Sequence, residues 1–501
     1  MASNQPAGAQ WLKKYFNLQH YTLTHSSFIG NNSSIELTSS GNIEETYGPK
    51  YAPAEDTAMP HLEFFLKYDH LNLDFLQAVF RNISGKEVEA YIEESPSGKY
   101  SRRIGFLYEF LTLKQLHIKK DVSGNYIDLL DPNRYVTTQG IKVPRWRINN
   151  NMLGGLEFCP MVRRKKELSD LLALNIKDKI SRLKTLYPPE IFRRATQYLY
   201  KKETNSSFEI EKEQPSETRI ERFIRLLEEA GSAPPDKMIS EARMIQLQNA
   251  IVDPRFAATG YRNFQNFVGQ TLPNYQQYIH YICPPPAYVL SLMTGLQQTA
   301  AVTMGIDPVV RAALISFAFV FIHPFEDGNG RIHRFLIHDT LAQDELVPEN
   351  MIIPVSAHML NHMKEYDTIL EKYSKPLMQR ITYTQKDNEG IAVTNQEVVE
   401  GYYRYPDLTE QVIYLLKTVH ATLDEDMPQE LLFLQRYDEA RLELQRIVDM
   451  PDKDINWMLI FLHQNNGVFP KRRREQFSKL SDGEIARMQA AYRTIFELDN
   501  E

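Results

Sequence analysis

Apolar residues recur at three- and four-residue intervals along most of this chain, which predicts a mainly helical protein. LNLDFLQAVF (71–80) and RRIGFLYEFLTLKQL (102–116) read as amphipathic helices. NYIDLLDP (125–132) and KVPRWRINNN (142–151) read as short strands and turns. These segments predict an α+β domain over 59–165, after a polar Ser-, Asn- and Thr-rich lead-in over 1–58. Residues 166–380 are mostly helical, interrupted by a loop at GSAPPDK (231–237) and a β-like excursion, PNYQQYIHYICPPP (273–286), closed by three prolines. ITYTQKDNEGIAVTN (381–395) places turn residues between two β-branched runs and predicts a hairpin. The remainder to 501 is helical.

The most apolar stretch is Val309 to Ile322, hydrophobic nearly all round except for Arg311 and Ser316, as a helix inside a core would be. Asp307 is placed to cap its start and Pro308 to occupy its first turn. His323 stands at its end, followed by Glu326-Asp327-Gly328-Asn329-Gly330 and a second helix from about Arg331.

That turn carries chemistry. The start of a helix offers free N–H groups and a partial positive charge, both of which favour a bound phosphate. Gly328 and Gly330 allow positive φ and close approach of a ligand to the backbone. Arg331 and Arg334 share one face of the first turn, where two cations cost about 0.3–1 kcal/mol each unless a polyanion meets them. Asp327 is a hard oxygen donor of the kind Mg²⁺ takes beside phosphate, and His323 can accept a proton near neutral pH. Spacing alone therefore predicts a nucleotide site with Mg²⁺ and a histidine base.

Composition limits the alternatives. Of 501 residues, 43% are hydrophobic and 24% charged, which excludes a disordered or low-complexity chain. The formal net charge of -7 argues against a surface coated with basic charge for nucleic acid or anionic lipid. The two cysteines, Cys159 and Cys283, support neither a disulfide framework nor a cysteine zinc site. With no apolar run approaching a membrane span and no secretory h-region, the chain reads as cytoplasmic and multidomain, with no membrane partner.

His323-Pro324-Phe325-Glu326-Asp327-Gly328-Asn329-Gly330-Arg331-Ile332-His333-Arg334 resembles the H-x-F-x-[DE]-G-N-G-R-x-x-R signature of the Fic (Fic/Doc) family. TGYRNFQNFVG (259–269) is similar to the segment before the active-site flap of that family, and YICPPPAYV (281–289) to the end of the flap. The flanking regions resemble those of long bacterial members. The resemblance implies transfer of AMP from ATP to a Tyr, Ser or Thr hydroxyl of a protein. His323 would be the general base and Asp327 the Mg²⁺ ligand. Gly328, Asn329 and Gly330 would form the anion hole, Arg331 would contact phosphate and Arg334 would grip the γ-phosphate. Phe325 would anchor the turn, and the flap near 274–282 would receive the target as an added strand.

Many members carry an inhibitory helix of pattern [ST]-x-x-x-E-[GN], whose Glu pairs with the second signature Arg. Ser207-Phe208-Glu209-Ile210-Glu211, within 205–223, fits its first five positions, so Glu211 would hold Arg334. Lys212 departs from the pattern, because Gly or Asn suits a left-handed helix end better than Lys. Ser40 to Glu44 imitates the motif but sits in the polar lead-in.

His358 and His362 have metal-ligand spacing without a third ligand, and read as packing or surface histidines. Lys471-Arg472-Arg473-Arg474 gives the C-terminal part a winged-helix-like cast and a candidate nucleic-acid contact. Residues 381–501 nevertheless hold 22 acidic against 14 basic residues, a net of -8.

The expected architecture is thus a helical Fic core (166–380) with a β-hairpin flap, preceded by an α+β domain and followed by a helical, winged-helix-like domain (381–501). The expected function is autoinhibited AMP transfer from Mg·ATP to a protein target, self-modification included. AMP removal, another nucleotide or phosphate donor, or a DNA-binding regulator with a silent core are the alternatives. A homo-oligomer is left open.

Overall fold

The computed structural model describes residues 4–39, 41–271, 277–349, 351–386 and 390–498. It is mostly helical with four small sheets, in line with the helical period of the sequence.

The polar start is not a loose lead-in. Strands β1 (Gln5–Ala7), β2 (His25–Ile29), β3 (Ser34–Leu37) and β4 (Ile43–Tyr47) form a sheet of order β1-β2-β4-β3. β2 and β4 run parallel, with His25 opposite Ile43, and the outer pairs are antiparallel. The buried Asp69 locks the sheet to the helices below it, accepting from the Ala9 N–H at 2.7 Å and from the Ser27 hydroxyl. Helices Leu73–Arg81 and Lys99–Thr112 then build one hydrophobic core with residues up to Met161, joined by Tyr405.

A second, larger core is centred on the helix Pro308–Ile322. Asp307 Oδ1 accepts the N–H groups of Val309 and Val310 at 2.9 and 3.1 Å, fixing the start of that helix beside Pro308. Its apolar girdle is covered by the helices Pro286–Val302, Asn329–Gln343 and Thr409–Ala421. Buried Arg311 is compatible with this core because Asp344, Gln343 and the Ala300 carbonyl take up its guanidinium.

The predicted hairpin is present as Tyr383–Lys386 paired with Gly390–Val393. Beyond it, the helices Gln396–Arg404 and Thr409–Ala421 join the central core, although the sequence assigned them to a C-terminal domain. The separate C-terminal core begins at Ala440 and is purely helical. No strand follows Val393 among the described residues, in line with the helical reading of the remainder. The basic run is a 3₁₀ segment, Lys471–Phe477, in which Arg474 bonds Asp482 and the carbonyls of Phe477 and Leu480, and Arg473 stacks 4.9 Å from the Phe461 ring.

Candidate active site

The central helix ends at His323, which takes a left-handed conformation (φ 53°) and turns the chain sharply. Its Nδ1 lies 3.1 Å from the Val320 carbonyl. A carbonyl can only accept, so Nδ1 carries the proton and Nε2 keeps its lone pair. Burial is the main cause that pushes the imidazole pKa down to about 4, leaving a neutral base at neutral pH.

The turn then runs to Gly328, whose φ of 91° belongs to glycine, and the next helix starts at Asn329. Its first intrahelical bond is Ile332 N–H to the Gly328 carbonyl, so the N–H groups of Asn329, Gly330 and Arg331 stand ahead of the ladder. The Asn329 side chain braces the turn instead of facing a ligand, accepting from the Phe325 N–H (3.0 Å) and donating to the Phe325 carbonyl (2.8 Å). Only backbone is offered at Gly330: a Cβ there would lie 2.0 Å from Glu211 Oε1.

Both signature arginines are buried, each 1% exposed. Arg334 donates from Nη2 to Glu211 Oε1 at 2.8 Å and to the Ser207 carbonyl at 2.7 Å, and from Nε to the Ser207 hydroxyl at 2.9 Å. Burial opposes its charge, but the Glu211 carboxylate and the Tyr366 hydroxyl together outweigh that and hold its pKa above the ordinary value. Its Nη1 has no acceptor in good geometry among the described residues, with the Tyr366 hydroxyl facing the same guanidinium. Arg331 forms a two-pronged pair with Glu213 (2.8 and 2.9 Å) and bonds Asp327 Oδ1 at 2.7 Å, while its Nε is likewise unpartnered.

The carboxylates come from the end of the long helix Pro189–Ile210, with Glu211 at its cap. Residues 205–223 are therefore not one helix: a turn intervenes and a new helix begins at Glu217. The turn is a Schellman motif, in which the Glu213 N–H reaches the Phe208 carbonyl (3.1 Å) and the Lys212 N–H the Glu209 carbonyl (2.8 Å), with Lys212 at φ 57°. One and two turns earlier, Ser207 and Glu203 face Arg334 and His338, so the two helices are laddered at four-residue spacing. Buried Glu203 bonds His338 Nε2 at 2.6 Å, the Ser356 N–H at 2.8 Å and the Ser356 hydroxyl.

Residues 238–341 match the model of the Fic/DOC family. The matched stretch contains the flap and the turn from His323 to Arg334. It is similar to the protein adenylyltransferase fic-1 of Caenorhabditis briggsae, 29% identical over 22% of this chain and 24% of that protein. It is also similar to the protein adenylyltransferase fic-1 of Caenorhabditis elegans, 33% identical over 16% of this chain and 17% of that protein. The chain thus spans about a quarter or less of the length of these relatives. Among solved structures it resembles a Fic family protein from Desulfovibrio desulfuricans G20 (16% identity, TM-score 0.39, 62% of this chain and 87% of that one). A Fic domain containing signaling protein from Bacteroides thetaiotaomicron gives 19% identity and a TM-score of 0.32, over 50% of this chain and 97% of that one.

Within the matched residues, Asp327 is half-exposed at the mouth of the turn, its Oδ1 held by the Gly328 N–H (2.6 Å) and Arg331. One hard carboxylate beside unpartnered arginine donors fits Mg²⁺ carried in on phosphate oxygens. The flap pairs Phe267–Thr271 with Gln277–Ile282. Positions 274–276 of the expected docking segment lie outside the described residues. In the upstream imitation of the inhibitory motif, Ser40 is outside them too, and Ile43 and Glu44 belong to β4. His358 pairs with Asp426 at 2.8 Å and stacks on His362.

Three residues of the site had no role in the sequence reading. Arg262 is buried and donates to the carbonyls of His323 (2.7 Å), Pro284 (2.7 Å) and Phe264 (2.8 Å), tying the flap base to the histidine. Gln248 bridges the Asp327 carbonyl to Phe256 and Ala258 behind the turn. Arg262 lies in the 259–269 segment, in which no role was assigned to it, whereas Gln248 sits in a helical pattern that a single sequence does not separate from ordinary polar positions. Glu213, the partner of Arg331, lies beyond the inhibitory pattern and carries no signal of its own.

Proposed function

We propose that the protein transfers AMP from Mg·ATP to a Tyr, Ser or Thr hydroxyl of a protein target, itself included, and that Glu211 restrains the reaction. The observation that carries this reading is the buried Arg334, whose guanidinium is shared between Ser207, Glu211 and an unpartnered Nη1 beside Gly330. A phosphate oxygen and a carboxylate compete for one such fork with the same geometry and charge.

In the open site the free N–H groups at the start of the Asn329–Gln343 helix, Arg331 and Arg334 would hold the polyphosphate. Asp327 would hold Mg²⁺, which supplies charge neutralisation on the phosphate oxygens when bound. The target hydroxyl oxygen forms a bond to the α-phosphorus, its proton passes to His323 Nε2, and the bond from the α-phosphorus to the pyrophosphate oxygen breaks. The strand Gln277–Ile282 is the proposed seat of the target, held by backbone bonds that read little of its sequence.

Intact-mass analysis after incubation with Mg·ATP tests this, comparing the wild type, Glu211→Gly and Glu211→Gly/His323→Ala. An AMP adduct that increases with Glu211→Gly and disappears in the double variant supports transfer, base and restraint together. Absence of ATP binding in every form would overturn it.

A further inference from the structure

We infer that Glu213 is a second gate on the proposed nucleotide site, closing the inner phosphate positions while Glu211 closes the outermost one. The inference rests on the proposed use of Arg331 and Arg334 for phosphate.

Glu213 meets Arg331 as a fork on a fork, with both carboxylate oxygens and both terminal nitrogens engaged at 2.8 and 2.9 Å. Asp327 takes a further contact at 2.7 Å, and Nε has no partner among the described residues. A phosphate can reach the fork of Arg331 only by replacing Glu213. The residue is also held from behind, since Arg219 donates to Glu213 Oε2 at 2.8 Å and to the Ile251 carbonyl at 3.0 and 3.2 Å. Both guanidiniums lie over the buried Phe208 ring, at 5.1 and 5.3 Å.

The backbone explains why two gates act from one turn. Lys212 in the left-handed conformation reverses the chain between the two glutamates, and the Glu213 N–H closes back on Phe208. Glu211 and Glu213, two residues apart, are thereby both brought onto the first turn of the Asn329–Gln343 helix. Glu211 reaches Arg334 and the face of Gly330, and Glu213 reaches Arg331. A restraint on the γ-phosphate alone would leave ADP free to bind. With Arg331 also taken, the closed chain disfavours ADP as well as ATP.

Titration calorimetry with ADP and with ATP, in the presence of Mg²⁺, reads the two gates separately. All forms carry His323→Ala to prevent turnover. Glu213→Gln should tighten ADP by about tenfold or more, since loss of one charged fork is worth at least about 1.4 kcal/mol. Glu213→Asp, which keeps the charge for Arg219 but falls short of Arg331, should act in the same direction. Glu211→Gly should tighten ATP while moving ADP by less than about threefold. Thermal melts identify any variant that fails to fold, and the two Glu213 substitutions serve as each other's check. Unchanged ADP affinity in both Glu213 variants would overturn the second gate while leaving the proposed function standing. ATP binding absent from every variant would instead overturn that function, and with it the gate.

Discussion

Arg262 Nε donates a 2.7 Å hydrogen bond to the carbonyl of His323, a residue 61 positions further along the chain. Its own N–H bonds the Pro324 carbonyl at 2.8 Å, so one buried side chain and its backbone clasp the left-handed end of the central helix. Lysine has the charge but not the planar spread to reach these carbonyls together. In the Glu211→Gly background, Arg262→Lys should lower kcat by about 10²-fold, as a misplaced base does, with the KM for ATP within about threefold. Denaturant melts should show a loss of about 2–3 kcal/mol from the unsatisfied carbonyls.

The pH profile follows from the same histidine. Its folded pKa of about 4 lies below the ordinary 6.5, so the neutral imidazole that the proposed base requires persists well into mild acid. Transfer by Glu211→Gly should therefore hold through pH 6 and fall only as the pH approaches about 4. The stability consequence has the same sign. Between 6.5 and about 4 the unfolded chain binds the proton that the folded site refuses, so stability declines as pH falls through that window. A rate profile with its acid limb near 6.5 would contradict this.

Ser207→Ala removes the hydroxyl that accepts from Arg334 Nε and leaves a buried donor unsatisfied. The cost of about 1–2 kcal/mol weakens the closed state, so basal transfer should rise, though by less than in Glu211→Gly. Comparing adduct yields of the two variants at equal time checks the order.

Lys212 carries the opposite prediction. A side chain in the left-handed region costs about 1–2 kcal/mol, which glycine does not pay. Lys212→Gly should relax the Schellman turn, raise the melting temperature slightly and lower basal transfer below the wild type. A rise in transfer would show that the lysine tightens the clamp rather than straining it.

The central elements were legible because their signals are local. Asp307 and Pro308 announce a helix start, fourteen nearly unbroken apolar positions announce a core, and two glycines around Asn329 announce a tight phosphate-sized turn. The mismatch of Lys212 was equally readable, and the structure shows the positive φ that makes it one. The N-terminal sheet was not legible, because HSSFI and IEETY pair in parallel through a connection that hides their partnership, and their polar faces read as loop. The basic run 471–474 was legible only as charge, since the sequence does not show that Asp482 and backbone carbonyls take up part of it. Glu213 escaped because nothing in one sequence distinguishes a carboxylate that faces Arg331 from one that faces water.

The ladder between the two helices also sets how the site can open. At its far rung Glu203 is sunk among His338 and Ser356, where separation would strand a buried polar group. At its near rung Glu211 caps the helix and Glu213 lies in the turn beyond it, both partly exposed. If the site works as proposed, opening would fray from that end, and an arriving nucleotide would contend with one turn of chain while Glu203 keeps its partners.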